Sequence, residues 1–184
     1  MKRILALALC LALVLPAVTA LAAGDILSTL AGLNWSYSSG AGGWSTDLRI
    51  RADGSFSGAF HDSEIGESGE GYPFGTVYSC SFTGRMSLVG QAGENCWRIR
   101  IDALTPDQGQ EPEVIEDGVR YVTAAPYGLS AGDEMLLYAP GTPVSALSND
   151  MAYWAHIWLQ DEPSAVLETW FLWSELNGSG FVGE

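Results

Sequence analysis

Basic residues are nearly missing from this chain: eight Lys and Arg stand against 22 Asp and Glu, and the only lysine is Lys2. Beyond the first 22 residues, six arginines face all 22 carboxylates, a net charge of −16. Such a surface repels nucleic-acid phosphates and anionic lipid, so neither is expected as a partner. Histidine is confined to His61 and His156 and cysteine to Cys10, Cys80 and Cys96, which leaves little from which to build a zinc site. No segment after residue 22 approaches the ~18 to 20 consecutive apolar residues of a spanning helix. Long helical patterns are scarce as well, which excludes a parallel α/β scaffold.

What is present begins with a leader pattern. Met1-Lys2-Arg3 is a basic n-region, residues 4–14 an apolar h-region, and Ala20-Leu21-Ala22 an A-x-A cleavage site. Residues 1–22 are therefore expected to be a signal peptide and the mature protein to be secreted. Cys10 lies deep in the apolar run, with Leu9 where a small residue is needed, so no lipid anchor is expected. Residues 23–184 then form a single domain, long enough to bury roughly two thirds of its unfolded surface. A hydrophobic content of 47% argues for a packed core.

The clearest structural signal is a hairpin between Trp44 and Phe60. Trp44, Thr46, Leu48 and Ile50 share one parity and Asp47, Arg49 and Arg51 the other; Asp53-Gly54 supplies the turn, and Phe56, Gly58 and Phe60 resume the inner face. Further strands are read at 33–38, 76–89, 95–103, 119–124, 134–138, 166–176 and 181–182, with loops at 61–75 and 105–118. The 166–176 strand is apolar on both parities, as expected of one covered on two sides. One helix is predicted over 149–158, capped by Ser148 or Asn149, with Met151, Trp154, Ala155 and Trp158 on one stripe. The fold class is all-β: an antiparallel up-and-down β-barrel of about eight strands, with one short helix before the last strands.

Parity also bears on Cys80 and Cys96. Cys80 shares the inner face with Tyr78, Phe82 and Met86, whereas Cys96 falls on the outer face with Arg98 and Arg100. A turn at 91–94 separates them far beyond disulfide reach, and only a bulge or a strand break at Gly84 would reconcile them.

Gly32-Leu-Asn-Trp35, the hairpin running from Leu48 through Asp53-Gly54 to Gly58, and Gly75-Thr-Val-Tyr78 leading into Phe82-Thr-Gly84 resemble the small barrels of the lipocalin and avidin kind, over roughly residues 30 to 103. The lipocalin signature has one residue between Gly and Trp, where this chain has two. Trp44, the Asp53-Gly-Ser-Phe56 hairpin, His61-Asp-Ser63 and Gly71-Tyr-Pro73 are also similar to a group of small exported proteins of Gram-positive bacteria of unknown function. The resemblance implies a calycin-type barrel able to hold a ligand.

Three candidate sites follow. Gly128-Leu-Ser130-Ala-Gly132 matches a nucleophile elbow, with Asp150 and His156 behind it. The strand-to-helix context is missing, so a Gly-rich turn is expected. In the acidic loop, Asp62, Glu64, Glu67 and Glu70 are candidate oxygen ligands for weakly held Ca²⁺, without EF-hand spacing; a solvated loop is the plainer reading. Trp35, Phe56, Phe60, Tyr78 and Phe82 take the inward parity of consecutive strands and would line a ligand cavity in the barrel. Of seven tryptophans, at 35, 44, 97, 154, 158, 170 and 173, most are expected in the core or under the helix stripe, and any exposed remainder is a binding surface.

The leading expectation is a non-enzymatic exported binding module for a small apolar or sugar-like ligand, with no cofactor. The alternative is a surface interaction protein, an inhibitor or adhesion-type domain with a filled core that meets a protein partner. An enzyme ranks third, since no acid/base pair or nucleophile sits in a suitable context.

Overall fold

The computed structural model describes residues 23–107, 113–157 and 163–184. The leader predicted at 1–22 and Trp158 of the helical stripe lie outside these residues.

The Trp44 hairpin folds as its alternation dictates. Strands β2 (Trp44–Ile50) and β3 (Ser55–Glu64) pair in register Trp44↔Asp62 to Ile50↔Phe56, with Gly54 at φ +78° in the turn. Leu48, Ile50, Phe56 and Phe60 are buried while Asp47 and Arg49 are exposed. Around this hairpin run β1 (Trp35–Ser38), β4 (Thr76–Gly93), β5 (Cys96–Pro106), β8 (Glu134–Tyr138), β9 (Trp170–Ser174) and β10 (Ser179–Gly183). Each is antiparallel to the next, and β10 returns to β1 through Trp35↔Gly183 and Ser36↔Val182. The result is the expected closed eight-stranded barrel.

Two strands lie outside it. β6 (Glu113–Glu116) and β7 (Val119–Thr123) form a hairpin attached by a parallel pairing of β7 with the start of β4. The sequence placed β6 in a loop. All four of its side chains are exposed, so no burial pattern marks it.

The turn between β4 and β5 also departs from the prediction. It falls at Glu94-Asn95, not at 91–94, because irregularities at Leu88/Gly90 and Gln91/Gly93 add residues to β4. Cys80 faces inward opposite Phe60, and Cys96 lies on the other face opposite Tyr138; both are buried and free.

The helical prediction needs an addition. Helix α1 (Ala23–Leu30) places Ile26 and Leu30, one turn apart, fully inside the core, and the Trp35 indole N–H donates to the Leu30 carbonyl at 3.3 Å. Together with the Gly54 turn it closes one end of the barrel. Helix α2 (Asn149–Trp154) begins at Ser148, whose hydroxyl accepts the Met151 N–H at 3.2 Å.

Alternation along β8 to β10 then gives two cores. Met135, Leu137, Leu172 and Phe181 join the barrel interior, while Phe171 and Trp173 pack outward against Met151, Ala155 and Leu167. The doubly apolar reading of the 166–176 strand has this cause.

Candidate functional site at the barrel mouth

Of the five residues predicted to line a cavity, Trp35, Phe56, Phe60 and Phe82 are at most 2% exposed and belong to one interior cluster; Tyr78 is half-buried at its margin. The structure brings them together as core side chains, with Phe56 and Phe82 rings 6.4 Å apart.

The four candidate Ca²⁺ ligands are not gathered. Strand β3 continues to Glu64, so Asp62 and Glu64 belong to a ladder instead of a loop, and Asp62 is turned inward and buried. Glu67 is held by Arg120 at 3.2 Å and accepts the Tyr78 hydroxyl at 2.6 Å, while Glu70 is exposed. Among the described residues, no group of three or more His, Cys, Asp or Glu is placed to hold a metal ion.

Two serine arrangements can be judged by their geometry. Ser130 sits in a loop between β7 and β8 and donates to Asn177 Oδ1 at 3.1 Å, with no helix after it. Ser45 donates to Asp47 at 2.7 Å and lies 3.2 Å from His61 Nδ1. There the serine stands between acid and imidazole, whereas nucleophile activation needs the imidazole between acid and serine.

The mouth itself is built from far-separated parts of the chain. Trp44 opens β2 on the inward parity, Tyr37 stands near the end of β1, Trp154 ends α2, and Tyr127 comes from the Gly-rich loop. Tyr37 meets Trp44 at 4.7 Å and Trp154 at 4.8 Å, both edge to face. Trp44 lies 6.0 Å from both Tyr127 and Trp154, and Tyr153 extends the series 5.1 Å beyond Trp154. Tyr127 is 43% and Tyr153 60% exposed, and Tyr37, Trp44 and Trp154 are half-buried. They form a continuous band of partly open rings.

Polar groups lie beneath the band. The Tyr127 hydroxyl donates to buried Asp62 at 2.9 Å, while its ring rests on Phe60 at 4.5 Å. Burial, and then the hydrogen bond to Asp62, push the Tyr127 phenol up to about 12. One layer deeper, Thr46 is fully buried and its hydroxyl has no hydrogen-bond partner. The loop that carries Tyr127 is pinned over the mouth. Leu129 is buried in the barrel core, and the Ser179 hydroxyl donates to the Gly128 carbonyl at 2.9 Å. Gly128 has φ +79°, and a Cβ there would strike Tyr37 and Ser179.

A concavity of about 800 Å³ lies apart from the mouth, on the outer wall across β1 to β5. Behind its floor, on the inner face, Phe82 lies opposite Gly58 and Phe56 opposite Gly84 in the register. Each ring covers the facing glycine from inside. Small outward side chains, Ser57, Ala59, Ser81 and Thr83, floor the groove; Asp47 and Arg49 form one bank and Thr105 to Asp107 the other.

The sequence reading missed the mouth residues as a site. Its available signal was an excess of tryptophan together with a tyrosine in a Pro-Tyr-Gly loop, where a core position is not expected. Compared with models of protein families, with curated proteins and with solved structures, the chain matches none.

Proposed function

We propose that this protein is an exported, non-enzymatic binding module that holds a sugar-like ligand on the aromatic band at its barrel mouth. The observation that carries this reading is the run of partly open rings from Tyr153 through Trp154 and Trp44 to Tyr127, in steps of 5.1, 6.0 and 6.0 Å. The rings meet edge to face or tilted, and the exposed faces among them offer stacking positions for the apolar face of a sugar unit. Beneath the band, the Tyr127 hydroxyl and the buried Asp62 carboxylate that accepts its hydrogen bond offer the polar contacts that orient the sugar. Buried Phe56, Phe60 and Phe82 favour a sugar on the band over an apolar ligand inside, because these side chains occupy the barrel interior. Export rests on the leader pattern of residues 1–22.

The outer groove favours a second reading, with the ligand on the barrel wall. Titration of soluble gluco-, xylo- and chito-oligosaccharides, with fatty acids alongside, followed by tryptophan fluorescence, separates the two. Trp44→Ala is expected to weaken binding by about tenfold, about 1.4 kcal/mol, while Ala59→Trp, which fills the groove, leaves it unchanged. The reverse pattern places the ligand in the groove. No response to any sugar overturns the proposal.

A further inference from the structure

We propose that the outer edge of β6, which pairs with no further strand among the described residues, is a docking site for an extended segment of a partner protein that carries basic residues. Asp117 and Gly118, at φ 50° and 79°, form the two-residue turn between Glu116 and Val119. In such a hairpin the flanking pair exchanges hydrogen bonds and the next pair points its amides apart. Arg120 belongs to that next pair and sends its N–H to the Gly75 carbonyl at 3.0 Å. Its partner Ile115 therefore turns its N–H and C=O to the open side, and the same alternation turns those of Glu113 there too.

An apolar surface surrounds this edge. Ile65, Phe74, Val114, Ile115 and Tyr121 are five of the ten large hydrophobic residues exposed among the described residues, and all belong to the hairpin or to the loop packed on it. That loop is anchored by the Phe74 N–H on the Gly118 carbonyl at 2.9 Å and by the Arg120 guanidinium 4.9 Å above the Tyr72 ring. The apolar side chains thus stand on a fixed frame.

Charge selects the occupant. Glu113 and Glu116 bracket the edge, and Arg120 is already engaged by Glu67. A second copy pairing antiparallel through these outward amides would set Glu113 of one chain opposite Ile115 of the other and diagonally beside that chain's own Glu113, and bringing two such acidic edges together disfavours the pair. A strand bearing Lys or Arg meets opposite charges instead, and its alternate apolar side chains rest on Val114 or Ile115.

The test uses the full chain and a fluorescent peptide of alternating lysine and valine, read by anisotropy. Binding is expected to weaken with salt and to be absent for a glutamate/valine peptide. Ile115→Pro removes one outward N–H without touching those bonded to β7, so it is expected to weaken binding at least about fivefold with the hairpin intact. The lysine/valine peptide with N-methylated amides is expected not to bind, which tests the edge pairing without altering the protein. Equal binding of the two peptides, of Ile115→Pro and wild type, or of the N-methylated peptide overturns the proposal. So does a concentration-dependent dimer that Ile115→Pro abolishes, since the occupant would then be a second copy.

Discussion

Gly58→Ala tests whether the barrel is as tightly filled as its core implies. A Cβ at Gly58 would lie closer than 3.0 Å to the Phe82 ring and to the Asp47 carbonyl, so side chain and backbone must both give way. Overpacking of this kind costs about 3 kcal/mol at the upper end of its range. Removing a glycine from a strand contributes about 1 kcal/mol in the other direction. The clash wins, leaving a net loss of about 2 kcal/mol, or about 4 to 8 °C in Tm for a domain of this size. Urea unfolding followed by circular dichroism measures it. Phe82→Leu shortens the offending ring at a cost of about 1 to 2 kcal/mol of its own. The double variant should therefore be more stable than the sum of the single losses by about 1 kcal/mol, the coupling expected of residues in contact. A Gly58→Ala protein within about 0.5 kcal/mol of wild type, or strict additivity in the cycle, would show that the ring does not bear on the glycine.

Two tyrosines should titrate last. Tyr127 and Tyr138 are each pushed up to about 12, both chiefly by burial. Their folded values exceed the unfolded 10, so the stability they contribute is complete below pH 10 and is lost as pH rises from 10 to 12. Ultraviolet titration of the phenolate should show two late ionisations, one of them absent in Tyr127→Phe; full ionisation near pH 10 would contradict the buried geometry. The thiols of Cys80 and Cys96 are buried, and burial raises both. Both should react with an aromatic disulfide reagent only after denaturation, and prompt reaction in the native state would place at least one of them at the surface.

The barrel was legible wherever one face of a strand is buried and the other wet, because period-two alternation then records the fold directly. The β2–β3 hairpin is the clearest instance. The same logic explains the failures. Strand β6 buries neither face, and so left no alternation to read. Helix α1 spans only eight residues beside the predicted leader, where Ile26, Leu27 and Leu30 carry too short a helical pattern to stand out. In β4, two register shifts broke the count near its end and displaced the predicted turn.

The candidate site was harder to read for a different reason. A core residue reports its role through neighbours in sequence, but the mouth is assembled from Tyr37, Trp44, Tyr127 and Trp154, drawn from four separate segments that only closure of the barrel brings together. Asp62 shows how a local reading then goes astray. Beside Glu64, Glu67 and Glu70 it looks like one of four acidic loop residues. In the fold, the inward parity of β3 carries it under Tyr127, and the carboxylate becomes the polar floor of an aromatic site. Had β3 ended at Phe60, Asp62 would have stayed with its sequence neighbours in solvent. Four further residues of ladder instead place a buried acceptor beneath the rings, where it receives the Tyr127 hydroxyl.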